Sequence, residues 1–339
     1  MRMNYKDAGV NIGKANEFIS QNLAKIHSTY TQRVITNKNN FAGLYDLTNI
    51  PYKNPVLAVS CDGIGSKIKL ATAFDSFYNL GLDIVANNVN DILCSGVDPI
   101  LFLDYYACGK LKRKNADSIM QGIVDACLWS NISLIGGETA ELPLTYKKSD
   151  FDLVGTAIGI VDKDAIYDPN NVRAGDILIG IKSSGPHSNG YSLINKIIKN
   201  KSVKDYSLTW NVADQLLEPT KNYQKVIKVL KENVAINGLA NITGGGMIDN
   251  IPRILPKDLM AVIDLNAYER PKIFNWIQIH GNVDENEMRK VFNLGIGMVL
   301  CIAKEDVDDT LGILGEDGIK LGYVIKKINE KSIIFFGEY

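Results

Sequence analysis

Residues 55–70, PVLAVSCDGIGSKIKL, hold this chain to a narrow set of folds. The apolar run Val56, Leu57, Ala58, Val59 reads as a strand. It delivers an acid, two glycines one residue apart, a hydroxyl and a lysine into a strand-to-loop turn. Asp62 is a ligand type for a divalent cation, Gly63 and Gly65 let backbone approach an anion, Ser66 offers a hydroxyl and Lys67 brings positive charge. The stretch is either a phosphate site with a metal or a glycine turn with a solvated acid and lysine. Spacing excludes two commoner phosphate loops. A Walker loop separates its first glycine from its Gly-Lys pair by about four residues, whereas Gly63 is followed only by Ile64 before Gly65-Ser66-Lys67. A dinucleotide fingerprint needs a third glycine where Ile68 stands, and an acid ~20 positions on.

Other polar residues gather in patterns that suit such a turn. Over residues 79–95 the apolar period predicts a helix, with Asp83, Asn87, Asn90 and Asp91 at i, i+4, i+7 and i+8 on one face. Asp and Asn are poor helix formers, so the stripe faces something polar, a ligand or metal shell or else a buried hydrogen-bond network. Residues 133–135 read as a short strand ending in Gly136-Gly137-Glu138-Thr139-Ala140-Glu141. There Glu138 is either a third carboxylate beside Asp62 and Asp91 or a helix-start residue favoured by the dipole. Strands are also expected at 100–108 and 152–161, and helices at about 15–27 and 116–130. Residues 6–10 read as a polar turn, and residues 31–44, with neither period, as a mobile or plain surface loop.

After turn chemistry at 162–175, a strand at 176–182 leads into Ser183-Ser184-Gly185-Pro186-His187-Ser188-Asn189-Gly190 and a helix at 191–199. Loop hydroxyls and free helix N–H groups there suit a phosphate monoester, and His187 can hydrogen-bond, donate a proton or cap. The run Asn241-Ile242-Thr243-Gly244-Gly245-Gly246 is a second such loop, because three successive glycines are costly to order without a ligand to approach. Strands near 259–264, 297–303, 319–328 and 333–336 alternate with helices near 272–280 and 305–316, an α+β sandwich.

With 339 residues and 46% hydrophobic content, the chain can bury two cores, at roughly 100–200 residues per domain. Lys and Arg number 37 against 38 Asp and Glu, a net charge of −1, which leaves no footprint for nucleic acid or a membrane surface and favours a small ligand. The five cysteines include no close pair and read as reduced core thiols, so a cytoplasmic location is expected. The first residues contain no apolar h-region, and no run approaches the ~18 apolar residues of a membrane span. Three histidines argue against a multi-His zinc site. No nucleophile–base–acid triad is visible, which favours phosphoryl transfer by positioning and electrostatics.

The segments Asp7-Ala8-Gly9-Val10, Asp62-Gly63-Ile64-Gly65-Ser66-Lys67, Val89-Asn90-Asp91, Phe102-Leu103-Asp104-Tyr105-Tyr106, Gly136–Glu141, Ser183–Ser192 and Thr243–Gly246 with Asn250-Ile251-Pro252-Arg253 resemble those of the phosphoribosylformylglycinamidine cyclo-ligases, also called aminoimidazole ribonucleotide synthetases. The likeness runs in order from about residue 5 to the end. It implies a two-domain α/β (α+β) fold, an N-terminal ATP- and metal-binding domain over 1–165 whose sheet pairs into a dimeric barrel, and a C-terminal substrate-phosphate domain over 172–339. It implies ATP as co-substrate, Mg²⁺, a homodimer, and ring closure of formylglycinamidine ribonucleotide in purine biosynthesis through an iminophosphate. Carried over by motif, Asp62, Asp91 and Glu138 would hold metal, and Asp62, Gly63, Gly65, Ser66, Lys67, Gly137, Glu138 and Thr139 would bind ATP. Ser184, His187, Ser188, Asn189, Gly190, Thr243, Gly244, Gly245 and Gly246 would line the substrate side. His187, Lys67 and Asp91 would be catalytic.

The chain departs from the family pattern at Asn37-Lys38-Asn39-Asn40-Phe41-Ala42-Gly43, where many relatives carry a glycine-rich loop, and at Asn241, where relatives often carry a histidine. Asn cannot act as a general acid near neutral pH. Related ATP users fit less well. A selenophosphate synthetase is expected to carry a cysteine or selenocysteine within 31–44, a hydrogenase-maturation dehydratase to end in cysteine, and a thiamine monophosphate kinase to lack SSGPHSNGYS. A nucleotide-binding regulator without turnover would need no set of three carboxylates.

Overall fold

The computed structural model describes residues 12–36, 41–199 and 212–338. Its contacts divide the chain into two units, Met1–Ile92 with Val97–Asp164, and Leu93–Gly96 with Ala165–Tyr339. The first unit runs α1 (Ile12–Ser28), β1 (Val34–Ile35), β2 (Leu44–Tyr45), β3 (Pro55–Gly63), α2 (Lys67–Ala73), α3 (Tyr78–Leu93), β4 (Asp98–Cys108), α4 (Arg113–Ser130), β5 (Ser133–Glu141) and β6 (Phe151–Asp162). Strands β3, β6, β4 and β5 form an open sheet in that order, with β4 and β5 parallel and the other pairs antiparallel.

Strict alternation in β6 gives this sheet two unlike faces, because successive side chains point to opposite sides. Phe151, Leu153, Gly155, Ala157 and Gly159 are buried, while the residues between them up to Ile158 are half-exposed. Helix α3 lies on the buried side, since a side chain at Gly155 would meet Ile84 and Asn88, and one at Gly159 would meet Ile92. Helix α3 is enclosed from Asp83 to Asn90, its polar stripe included, so that only Asp91 of that stripe reaches solvent. It crosses α4 with backbones touching: a Cβ on Gly81 would lie 2.2 Å from the Ile119 carbonyl, and one on Gly122 would lie 2.1 Å from that of Tyr78. The opposite face keeps Leu57 56% and Val59 64% exposed, and Tyr105 lies on it two strands away, on β4.

The second unit contains β7 (Ile177–Lys182), α5 (Tyr191–Lys199), α6 (Val212–Leu217), α7 (Gln224–Asn233), β8 (Ile236–Asn241), α8 (Gly246–Asn250), β9 (Leu259–Asp264), α9 (Lys272–Gly281), α10 (Glu285–Val291), β10 (Ile296–Ile302), α11 (Val307–Leu314), β11 (Gly318–Lys326) and β12 (Ile333–Phe336). Its six strands lie in the order β12-β9-β11-β7-β10-β8, all antiparallel except β12 with β9. Every residue of β10 is buried, as expected of a strand covered on both faces. Leu178, Ala240, Met247, Ile251, Val299 and Leu321 belong to the core on one side.

Several expectations are corrected. The Gly136–Glu141 motif continues β5 rather than leaving it, because β4 supplies a parallel ladder as far as Cys108. Residues 31–44 hold two short paired strands, Val34–Ile35 with Leu44–Tyr45, rather than pure loop. Cys61 is exposed and Cys94 half-exposed; only Cys108, Cys127 and Cys301 are core thiols. The helix expected at 305–316 is Val307–Leu314 with 3₁₀ turns at each end. Helices α6, α7 and α10 and strand β8 escape the sequence reading. The four-stranded sheet does not close within the chain. The turn expected at 6–10, and Asn37-Lys38-Asn39-Asn40, lie outside the described residues.

Replacing Gly122 with Val forces α3 and α4 apart. We expect a loss of about 1–3 kcal/mol in urea unfolding, the usual scale of overpacking, with an unchanged midpoint contradicting the close crossing.

Candidate functional site

The turn after β3 is built as its residues require. Gly65 takes a φ of +62°, the Ile64 amide donates to the Leu153 carbonyl, and helix α2 begins at once with Lys67. Lys67 then turns inward. Its Nζ lies 2.9 Å from Oδ1 and 2.8 Å from Oδ2 of Asp83 on α3, and both side chains are fully buried. The lysine expected at a phosphate is thus an internal tie between the turn and α3. Of the polar stripe on that helix, Asp83, Asn87 and Asn90 are enclosed and only Asp91 is exposed. The hydrogen-bond alternative is therefore the one realised at Asp83.

Asp91 remains with the turn, since Ser60 Oγ donates to its Oδ2 at 3.4 Å. Asp62, two residues along β3, shares the face of Ser60 by alternation. Its exposed carboxylate accepts the Gly63 amide at 2.7 Å. Register separates the third carboxylate from this pair. Asp62, Gly155, Asp104 and Gly137 form one row across the sheet, whereas Glu138 stands in the next row with Tyr105 and Val154, on the opposite face. Among the described residues no three His, Cys, Asp or Glu side chains gather closely enough to hold a metal ion. Asp62 and Asp91 are oxygen donors of the kind Mg²⁺ accepts, and Mg²⁺ commonly takes only one or two carboxylates beside substrate phosphates. The pair fits such an ion.

Asp104 is a residue that sequence reasoning missed, although an acid inside the apolar run ILFLDYYAC is its signal. It is 8% exposed, and burial raises its carboxyl to about 7. A Cβ on Gly137 would come within 2.4 Å of Asp104 Oδ1, so the glycine leaves room for that carboxylate. Asp104 lines a cavity of about 640 Å³ between α1 and β5, together with Gly137, Glu138 and Thr139.

In the second unit the two predicted phosphate loops are adjacent, for a Cβ on Gly244 would lie 3.5 Å from Asn189 Oδ1. Asn250 Nδ2 donates to the carbonyls of Gly244 and Gly246, and Gly245 and Gly246 adopt φ of +94° and +58°. Among the described residues, the Gly244 and Gly245 amides have no hydrogen-bond acceptor. Two such amides on a concave turn form an anion-binding nest. Ser188 Oγ lies 3.1 Å from Thr220 Oγ1, and Ser184 Oγ donates to the Pro219 carbonyl. Gly190 sits where any side chain would strike Phe292. His187 is 97% enclosed, with φ +59°, and its Nε2 accepts the Ser184 amide at 3.3 Å. That contact gives His187 a part in shaping the loop.

Two family models match the chain, the N-terminal domain of AIR synthase related protein over residues 42–161 and its C-terminal domain over 173–334. Fold and matches together define a two-domain protein of the AIR synthase related class. Solved structures of this fold include thiamine-monophosphate kinase from Stenotrophomonas maltophilia K279a, with a TM-score of 0.68, 15% identity and coverage of 94% of this chain and 96% of that one. Hydrogenase maturation protein HypE in complex with ATP has a TM-score of 0.68, 16% identity and coverage of 95% and 90%.

The phosphoribosylformylglycinamidine cyclo-ligase of Thermoanaerobacter sp. strain X514 is 47% identical over 333 residues, 97% of this chain and 98% of its own. That of Clostridium botulinum strain Loch Maree is 45% identical over 336 residues, covering 98% and 99%. The chain belongs to the phosphoribosylformylglycinamidine cyclo-ligase family, and is a ligase of purine biosynthesis. Among the described residues no helix is long and apolar enough to cross a membrane.

Lys67→Met alone strands the Asp83 carboxylate in the interior, and we expect a loss of about 3–5 kcal/mol. The double variant Lys67→Met with Asp83→Leu should recover most of it in a denaturation cycle. Asp104 predicts an opposite sign of pH dependence from an ordinary carboxylate. Its folded pKa of about 7 lies above the unfolded value, so the folded state holds the proton more tightly and stability falls as pH rises from about 4 to 7. Asp104→Asn should match the wild type near pH 4 and exceed it at pH 8 in urea titrations.

Proposed function

We propose that the chain converts formylglycinamidine ribonucleotide to aminoimidazole ribonucleotide with ATP, releasing ADP and phosphate, as a cytoplasmic homodimer. The carrying observation is the near-full-length identity of 47% to a curated cyclo-ligase. In this reading ATP phosphorylates the formyl amide oxygen, the amidine nitrogen attacks that carbon, and phosphate leaves in place of a poor oxygen leaving group.

Asp62 and Asp91 would hold Mg²⁺, which when bound supplies charge neutralisation for the nucleotide phosphates. Gly63, Gly65 and Ser66 form the adjacent turn, whose backbone lets the nucleotide approach. Lys67 acts through Asp83, setting the position of that turn against α3. Gly137, Glu138 and Thr139 line the cavity beside β5 on the ATP side, with the Glu138 side chain on the opposite face of the strand from Gly137 and Thr139. On the substrate side, Thr243 and the free amides of Gly244 and Gly245 take the ribose phosphate, with Ser188 and Asn189 alongside. Gly190 and Gly246 let backbone pass close by, and His187 serves the reaction by holding Ser184. A solved structure of Thermotoga maritima PurL, with a TM-score of 0.54 and 16% identity, is complexed with AMPPCP, and the HypE structure above with ATP. These support an ATP site on this fold.

The dimer reading rests on the exposed Leu57 and Val59 of β3, with Tyr105 of β4 on the same sheet face, an apolar face of a kind that a second copy would cover. Val59→Asp should shift sedimentation toward monomer; a wild type that sediments as monomer at micromolar concentration counts against the dimer.

Purified protein with Mg-ATP should release ADP only when formylglycinamidine ribonucleotide is present, in equal amount with aminoimidazole ribonucleotide. ADP without the imidazole would overturn the reading. Asp62→Asn should lower kcat/KM by about 10²–10³-fold, the scale of losing a group that stabilises developing charge.

A further inference from the structure

We propose that Asn293 is a positioning residue for the substrate phosphate. Its buried side chain holds the Ser183–Gly190 loop in place against the Gly244–Gly246 nest, so that both close on one anion. This rests on the substrate-side reading above and adds to it what keeps the two loops together.

Asn293 lies between α10 and β10 and is 2% exposed. Its side chain makes three hydrogen bonds: Oδ1 accepts Ser183 Oγ at 3.1 Å and the Gly295 amide at 2.9 Å, and Nδ2 donates to the Gly185 carbonyl at 2.9 Å. Two of these reach the loop after β7. A buried carbonyl left without a donor is costly, so the bond to Gly185 fixes where that loop turns.

The backbone beside Asn293 is bent to aim this amide. Leu294 and Gly295 take φ of +52° and +105°, and the Ile296 amide closes the turn on the Asn293 carbonyl at 3.0 Å. A leucine in the left-handed region is uncommon and persists only where its surroundings over-determine it. With that bend, the Gly295 carbonyl accepts the Ser183 amide at 2.9 Å.

The same segment touches the second loop. A Cβ on Gly246 would strike the Arg289 carbonyl and lie 3.0 Å from that of Phe292, and the Gly297 carbonyl accepts the Ile242 amide at 2.9 Å. The Phe292 ring fills the space beside Gly190, at the far end of the first loop. Residues 289–297 are thus one piece of backbone against which both loops are set. Asn293 is the residue of that piece whose side chain grips the first loop by directed bonds. An anion held between two loops needs both sets of donors to converge, and a misplacement of about 1 Å can cost on the order of 10²-fold in a well-oriented site.

Steady-state kinetics with both substrates varied, and calorimetric titration of the full chain with ribose 5-phosphate, test this. Asn293→Ala should raise KM for formylglycinamidine ribonucleotide by about tenfold or more and weaken ribose 5-phosphate as far, with kcat and KM for ATP within about twofold. Ser183→Ala removes one of the three bonds and should shift both in the same direction by about threefold. If Asn293→Ala does not fold, Asn293→Asp, which keeps the acceptor and loses the amide donor to Gly185, is read in its place with the same expectation. Thr310→Val removes a buried hydrogen bond to the Asp306 carbonyl on α11 and isolates the effect of lost stability: it should lower the urea midpoint and leave both KM values unchanged. KM rising alike for ATP and the ribonucleotide in Asn293→Ala, or ribonucleotide KM rising as far in Thr310→Val, would overturn the proposal. A wild type that makes no aminoimidazole ribonucleotide overturns the proposed function, and ribose 5-phosphate then decides the role of Asn293. Affinity about tenfold weaker in the variant supports it; equal affinity, or no binding to the wild type, overturns it.

Discussion

The ion pair between Lys67 and Asp83 ties the first residue of α2 to the middle of α3, with neither side chain open to solvent. Its neighbours in sequence are the acids of the site. Asp62 lies one short turn before Lys67, and Asp91 lies about two helical turns beyond Asp83. Burying two charges is expensive, and a well-packed apolar pair can match or exceed such a bridge in stability. What an apolar pair lacks is direction. Lysine and carboxylate meet in few geometries, and the bridge therefore sets where the turn after β3 stands relative to α3.

Some elements of the chain are plain in its one-dimensional pattern and others are hidden by it. Strand β9, helix α5 and strand β12 are legible to the residue, because apolar period and flanking turn chemistry agree. The glycine motif of β5 misleads: two glycines, an acid and a hydroxyl look like a loop, and only the ladder with β4 keeps them extended. Helices α6 and α10 run only 6 and 7 residues, too short for a helical period to stand out, whereas α7 carries a clear amphipathic period with Ile227 and Leu230 buried and is legible though it escapes the sequence reading. Long-range pairing decides the β5 motif.

At the site the residue types are legible and their partners are not. Asp62 and Asp91 are recognisable from chemistry, and Ser60 does bring them to one side. Lys67 looks like a phosphate ligand until Asp83 is seen beneath it. Glu138 looks like a third ligand until the register sets it on the far face. Asp104, hidden in an apolar strand, has its carboxyl raised to about 7 by burial. Local sequence does not encode which strand face a residue will occupy once a bulge intervenes, and the ladder here shifts between Phe102 and Leu103.

The two-sidedness of β3 bears on how such a chain can change over generations. Its even-numbered positions lead to the acids and its odd-numbered ones to the exposed apolar face. Substitution at one position leaves the other set in place. Insertion or deletion of a single codon within residues 56–61 would exchange the two sets, sending Asp62 to the apolar side and an apolar residue toward Asp91. Length variation in this family is therefore expected in the connections and not in β3, even where β3 itself drifts freely in side-chain identity.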